Sequence, residues 1–299
     1  MDWLFGWITD WIKQGLIDAI TGQFTGIFES VNNQVTDVAA QVGQTPQGWN
    51  SGVFNMIQTL SETVVLPIAG IILTFVLVYE LIQMILEKNN MHEFDTFNIF
   101  KWVFKTFVAT YLLTNCFTIV MAVFDVAQTV VANSAGIING NLDVAASMAD
   151  LETQLQAMGI WELIGLWLET HIINLCMWIL SIVIFVIVYG RMIEIYLTVS
   201  IAPIPFSTLA NREWGAMGTN YLRSLFALGF QGFLILICVA IYAVLVQSIP
   251  SSSSVHAAIW GTAGYTVLLA FALFKDRFAI QIYFQCTLTY VLKSKGDVL

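Results

Sequence analysis

The chain has 299 residues, of which 58% are hydrophobic and only 10% are charged, and its mean hydropathy is +0.78. Soluble domains contain about 45–50% apolar and about 25% charged residues, so this composition excludes an ordinary soluble protein. The formal net charge of −9 is unfavourable for binding nucleic acid, although in a membrane protein the side on which each charge lies matters more than the sum. We therefore expect an all-α integral membrane protein.

The first 30 residues predict an amphipathic helix. Tryptophans recur at every fourth position, at Trp3, Trp7 and Trp11. This pattern is typical of a helix that lies at a membrane interface, but the same stripe could pack on protein, and both interpretations stay open. A loop is predicted over residues 32–50. Residues 1–61 are expected to form an extracytoplasmic N-terminal region.

Five stretches are apolar enough to predict transmembrane helices. They are Thr63–Leu86, Val103–Phe124, Ile172–Gly190, Leu225–Gln247 and Ala257–Phe274. A helix that rises about 1.5 Å per residue needs about 20 residues to cross about 30 Å of hydrocarbon. The first two spans are expected within residues 62–124, and the other three within residues 172–274.

Between the third and fourth spans, residues 191–209 are apolar but interrupted. Glu194 lies inside the segment, and Pro203 and Pro205 follow near its end. Two prolines remove two backbone donors and disfavour a straight helix, so we expect a broken segment that is re-entrant or interfacial. The spacing of Arg191 and Glu194 suits a local ion pair on a helix.

The positions of the basic residues favour five crossings over six. If residues 191–209 do not cross, ten of the eleven Lys and Arg residues lie on one side and only Lys13 lies on the other, whereas six crossings divide them seven to four. Because cytoplasmic loops are enriched in Lys and Arg, we expect a multi-pass protein of the cytoplasmic membrane. Its N-terminus lies outside, and residues 275–299 form a basic cytoplasmic tail.

Residues 125–171 contain no Lys or Arg and predict a structured outer loop between the second and third spans. Apolar residues recur at helical spacing between Ala145 and Met158, and Gly159 ends this run. A structured loop is expected to contact a partner. The candidate contact residues are Leu151, Leu155, Trp161 and Trp167.

The sequence predicts no enzyme, metal site or cofactor. The three histidines, His92, His171 and His256, lie in separate loops, and no HExxH or GxSxG motif is present. Glu80 is an acid set inside the first span, near enough to the inner end for its side chain to reach the interface. Secondary transporters use such intramembrane acids, so a small-solute transporter is the alternative function.

One local pattern is the most recognisable feature of the chain: a charged residue leads into an apolar stretch that ends in an Ala-Pro element, and a tryptophan follows. It consists of Arg191, Glu194, Ala202, Pro203, Pro205 and Trp214. Together with the outer loop and about five spans, it resembles the TrbL-type inner-membrane subunits of type IV secretion and conjugation systems. The resemblance covers about residues 55–274 and is greatest to the versions carried by conjugative elements of Gram-positive bacteria.

The resemblance implies a non-enzymatic channel or scaffold subunit that serves the transfer of single-stranded DNA with its attached relaxase. Other channel subunits, further copies of this chain, separate ATPases and the lipid bilayer would be its partners. Twelve acids on the expected outer face would repel a phosphate backbone, so we expect the outer loop to contact protein. A membrane protein that binds partners without forming a pore is a third possibility.

Overall fold

The computed structural model of the chain describes residues 2–86, 96–138, 145–211, 213–247, 256–257 and 260–275. All regular elements in this part of the chain are helices. In chain order they are α1 (Asp2–Val42), α2 (Pro46–Trp49), α3 (Ser51–Leu60), a π-helical turn (Ser61–Val65), α4 (Leu66–Leu86), α5 (Thr96–Thr114), α6 (Cys116–Ile138), α7 (Ala145–Ala157), α8 (Ile160–Ser200), α9 (Pro203–Thr208), α10 (Gly215–Gln247) and α11 (260–275).

Four helical stretches in the described part of the chain are long and apolar enough to cross a membrane. These candidate spans are Ser51–Leu86, Cys116–Ser134, Ile160–Ser200 and Gly215–Val246. They confirm the prediction of an all-α membrane protein. The fifth predicted span, Ala257–Phe274, coincides with α11, of which the structure describes residues 260–275.

The N-terminal helix α1 is longer than predicted. It continues to Val42, so the predicted loop over residues 32–50 is wrong in its first half. Val38 and Val42, one turn apart, are both buried in a hydrophobic core, and this burial stabilises helix where the polar composition suggested a loop. In the predicted tryptophan stripe, Trp7 and Trp11 remain exposed.

The entry into the first candidate span is set by two capped turns. The side chain of Thr45 accepts a hydrogen bond from the amide of Gly48, and that of Asn50 accepts one from the amide of Val53, so each caps the start of a helix. A π-helical turn then precedes Pro67. Proline has no amide hydrogen and clashes with the carbonyl four residues earlier, which a wider turn accommodates.

The second predicted span, Val103–Phe124, is interrupted. Helix α5 ends at Thr114 and α6 begins at Cys116. Between them, the side chain of Asn115 donates to the carbonyl of Tyr111 at 2.9 Å, and the Asn115 amide donates to the same carbonyl at 3.2 Å. The apolar helix that follows runs from Cys116 to Ser134. The candidate span therefore lies about ten residues further along the chain than the hydropathy pattern predicted.

The predicted helix in the outer loop is present as α7 (Ala145–Ala157). Gly159 separates it from α8, and the carboxylate of Glu162 accepts a hydrogen bond from the Gly159 amide at 3.0 Å. An acid in the first turn also suits the positive end of the helix dipole. Helix α8 begins at Ile160 and so extends beyond the predicted third span, Ile172–Gly190, at its N-terminal end.

The chain divides into two compact units. The first comprises residues 1–43, 131–189 and 233–276, and its core is formed by apolar residues of α1, α7, α8, α10 and α11. It contains eleven acidic and two basic residues. Its net charge is therefore −9, the same as that of the whole chain. The first unit is therefore strongly acidic.

The second unit comprises residues 44–130, 190–232 and 277–299 and contains nine acidic and nine basic residues. Its core joins α3, α4, α6, α9 and parts of α8 and α10. The proposed boundaries at residues 61, 124 and 171 are not those of the compact units. The predicted tail, 275–299, lies outside the described residues except for Lys275.

Candidate functional site

The segment predicted to be broken, residues 191–209, begins as regular helix. Helix α8 continues without interruption through Arg191 and Glu194 to Ser200, whose hydroxyl donates to the carbonyl of Leu197 at 2.8 Å. The irregular part is therefore shorter than expected and comprises residues 201–214. The two prolines interrupt the helix only in this part, because the residues that precede them keep their backbone amide hydrogens.

The chain reverses between α8 and α10 through the short helix α9. Pro203 opens this helix, where a missing amide hydrogen costs no intrahelical bond, and Pro205 is buried beside it. Asn211 stabilises the turn before the next helix, because its side-chain oxygen accepts hydrogen bonds from the amides of Glu213 (2.7 Å) and Trp214 (3.1 Å). We call residues 201–214 the reversal segment.

The end of the reversal segment is attached to α4. The indole of Trp214 stacks on Phe75 and Tyr79, one turn apart on α4, with ring centroids at 5.6 and 5.5 Å. The neighbouring carboxylate of Glu213 accepts hydrogen bonds from the Tyr79 hydroxyl (3.3 Å) and from the amide nitrogen of Gln83 (3.1 Å). Aromatic and polar contacts thus hold the same turn.

Gly218 allows a close approach between α10 and α9. A Cβ atom at this position would lie 2.6 Å from the side chain of Leu209 and 2.6 Å from the carbonyl oxygen of Pro205. The Gly218 amide lies 3.2 Å from the hydroxyl of Thr208, to which it donates. Since the carbonyl belongs to the backbone, the two helices can pack this tightly only around glycine.

Arg191 is buried rather than paired with Glu194, so the predicted local ion pair is wrong. Its side chain, only 6% exposed, points to α10 and donates to the carbonyl of Gly229 at 3.4 Å, while Glu194, three residues later on α8, is half-buried. The Arg191 Nε atom has no hydrogen-bond partner among the described residues. Because no carboxylate of the described residues pairs with it, the burial of this cation is costly.

Glu80 is ion-paired with Lys105, on the neighbouring helix α5. The second carboxylate oxygen of Glu80 is buried without a partner among the described residues. The side chain therefore does not simply extend to the interface, as the sequence had suggested. An acid and a base on successive apolar helices neutralise each other where an isolated charge would be destabilising.

The four predicted contact residues of the outer loop have different environments. Leu155 is fully buried in the core of the first unit, and Leu151 and Trp167 pack against that core. These three positions pack on the chain's own core, so Leu155 is not available to a partner. Trp161, in the first turn of α8, is 85% exposed and remains a candidate.

Sequence reasoning missed two members of this region, Lys105 and Gly218. Lys105 could have been found, because Glu80 and Lys105 flank one short connection at similar distances and would meet in an antiparallel helix pair. Gly218 carries no such signal, since its role depends on the reversal segment. Among the described residues, no group of His, Cys, Asp and Glu could hold a metal ion.

Comparison with known proteins gives one match. The family model described as TrbL/VirB6 plasmid conjugal transfer like protein matches residues 31–203, which is more than half of the chain. The matched region contains three of the four candidate spans, with α8 complete, and ends at Pro203. No curated protein and no solved structure matches the sequence significantly.

Proposed function

The chain belongs to the family of TrbL/VirB6 plasmid conjugal transfer like proteins, and we propose that it is a channel or scaffold subunit of a type IV secretion apparatus, without enzymatic activity. The match over residues 31–203 is the observation that carries this proposal. Family membership makes other type IV secretion subunits its partners. We further propose that it assembles with copies of itself and that separate ATPases supply the energy.

The hydrogen bonds of the reversal segment support the proposed scaffold role, because they satisfy the polar groups of a turn between apolar helices. Irregular backbone is tolerated among membrane helices only where protein or water satisfies its polar groups. Here the side chain of Asn211 accepts from the amides of Glu213 and Trp214, and that of Thr208 accepts from Gly218. The carboxylate of Glu213 accepts from Gln83 of α4. A turn satisfied in this way can lie between apolar helices at low cost.

The proposed membrane is the cytoplasmic membrane, crossed five times, with the N-terminus outside and the C-terminus inside. Ten of eleven basic residues then lie on the cytoplasmic side, as the charge bias of membrane proteins favours. The reversal of the chain between α8 and α10 supports the proposal that residues 191–209 do not cross the membrane.

The acidic first unit bears on what the chain contacts. With a net charge of −9, it would repel the phosphate backbone of DNA. We therefore propose that its contacts are with protein, and that single-stranded DNA with its relaxase passes only through a path formed by several subunits.

The test is an in-frame deletion of the gene in donor cells. Because a channel subunit acts after the DNA is processed, we expect nicking at the transfer origin to continue while DNA transfer is lost, and the wild-type gene in trans to restore transfer. Normal transfer by the deletion strain would refute the proposal. Loss of nicking as well would indicate a role in processing instead.

A further inference from the structure

A cleft of about 280 Å³ lies between the C-terminal half of α1 and α8, within the first unit. Its polar side is a row on one face of α1, formed by Gln34, Asp37 and Gln41, and its apolar side is formed by Ile184, Phe185 and Val188 of α8. None of the described lining residues is basic, and Ser181 and Tyr189 of α8 also line the cleft. The cleft thus presents hydrogen-bond acceptors opposite an apolar surface.

The acceptors in this cleft are unsatisfied. The Oε1 atoms of Gln34 and Gln41 are buried, and neither has a hydrogen-bond partner among the described residues. Asp37 has no ion pair in the described part of the chain. Buried polar atoms are nearly always paired, so the two glutamine oxygens indicate a missing donor. The exposed carboxylate of Asp37, between them on the same face of α1, favours a donor that carries a positive charge.

The position of the cleft indicates that the missing donor carries a positive charge. Residues 184–188 belong to the candidate span Ile160–Ser200, and Phe185 and Val186 on it are exposed apolar residues that suit lipid. A carboxylate at the level of an apolar span is costly unless a cation accompanies it. The ring of Phe185, packed against Tyr189 at 4.2 Å, adds an aromatic wall that favours a cation on an apolar stem.

We propose that this cleft binds a Lys or Arg side chain from a membrane helix of another subunit of the secretion apparatus. The proposal rests on the proposed function, because it names a partner of the same assembly. A second copy of the chain is a poor donor. In the four described candidate spans the only cations are Arg191 and Arg223, which donate to the Gly229 carbonyl and to Asn220.

The first test uses the purified full-length chain in lipid nanodiscs, with its native cysteines replaced. Ser181→Cys places a thiol at the cleft, and Thr25→Cys places a matched thiol on the exposed side of α1. Butylguanidinium should slow modification of the thiol at position 181 by N-ethylmaleimide, but not of that at position 25. Adding Asp37→Asn should abolish the protection, and neutral butylurea should give none.

Absence of protection by butylguanidinium, or equal protection with Asp37→Asn, would overturn the cation site. This assay needs no secretion apparatus, so its result is independent of the proposed function.

The second test measures DNA transfer. Asp37→Asn should lower transfer by about tenfold or more, because the partner's cation, enclosed in the cleft by the contact, would lose its counter-charge. Asp10→Asn, an exposed acid elsewhere on α1, should leave transfer within about twofold. Protection in the first test with unchanged transfer for Asp37→Asn would refute the partner contact, whereas normal transfer by the deletion strain would refute the proposed function itself.

Discussion

Trp214 stacks on Tyr79 with ring centroids 5.5 Å apart and ring planes only 6° from parallel. Tyr79 lies in α4 and Trp214 lies at the end of the reversal segment, 135 residues later in the chain. Phe75 extends the stack on the same helix. This contact and the hydrogen bonds to Glu213 hold the turn between α8 and α10 against the first candidate span.

The first prediction concerns this stack. Trp214→Ala should destabilise the purified protein by roughly 1–3 kcal/mol, because it removes two aromatic pairs that each contribute about 0.5–1.5 kcal/mol beyond their buried area. Trp214→Phe should retain much of the stability. Thermal unfolding in detergent measures both. The matched control is Trp161→Ala, which removes an exposed tryptophan; an equal loss in both variants would contradict the proposed role of the stack.

The second prediction concerns Glu80 and Lys105. Glu80→Gln and Lys105→Met should each lower stability, because each leaves one partly buried charge without its partner. The double variant should be more stable than the sum of the single effects predicts, with a coupling of about 0.5–3 kcal/mol. The double-mutant cycle is measured by thermal unfolding. Strictly additive effects would show that the two residues do not interact.

The third prediction concerns Gly218. Gly218→Ala should cost about 1–3 kcal/mol and lower the amount of folded protein in the membrane, because its Cβ would force α10 away from the carbonyl of Pro205. Gly70→Ala in α4 is the control, since no atom lies within 4 Å of a Cβ there and alanine favours helix. Equal membrane levels for the two variants would argue against tight packing at Gly218.

The fourth prediction concerns topology. In a variant without native cysteines, Ser253→Cys should react with a membrane-impermeant thiol reagent in intact cells, and Ser294→Cys should react only after the membrane is permeabilised. The physical reason is that the basic residues near the C-terminus favour the cytoplasmic side. Labelling of Ser294→Cys but not Ser253→Cys in intact cells would indicate a sixth crossing at residues 191–209. Labelling of both positions from outside would show that Ala257–Phe274 does not cross, and either result would refute the five-span arrangement.

Local signals in the sequence predicted some parts of this structure and could not predict others. Gly159 and Glu162 act within one turn, so the start of α8 was predictable. The extension of α1 to Val42 was not, because it depends on burial of Val38 and Val42 against distant residues. The helical spacing of Leu151 and Leu155 correctly indicated an apolar face, but spacing alone does not say whether that face packs on the same chain or on a partner.

The reversal segment shows the same distinction at the candidate site. Pro203 and Pro205 located the interruption to within a few residues, since their missing amide hydrogens act locally. Its true start at residue 201, the stacking of Trp214 and the close approach at Gly218 depend on which helices are neighbours in the fold. Charge placement predicts a topology, but it did not reveal that Arg191 is buried with no carboxylate partner among the described residues.

Isolation of the intact apparatus tests the central claim most directly. An affinity tag on a transfer-competent version of this chain should retain other type IV secretion subunits of the same element, in a fixed ratio, after mild detergent extraction of donor membranes. Asp37→Asn should reduce their recovery and Asp10→Asn should not. Recovery of the tagged chain alone, from cells in which it supports normal transfer, would contradict its assignment as a subunit of the apparatus.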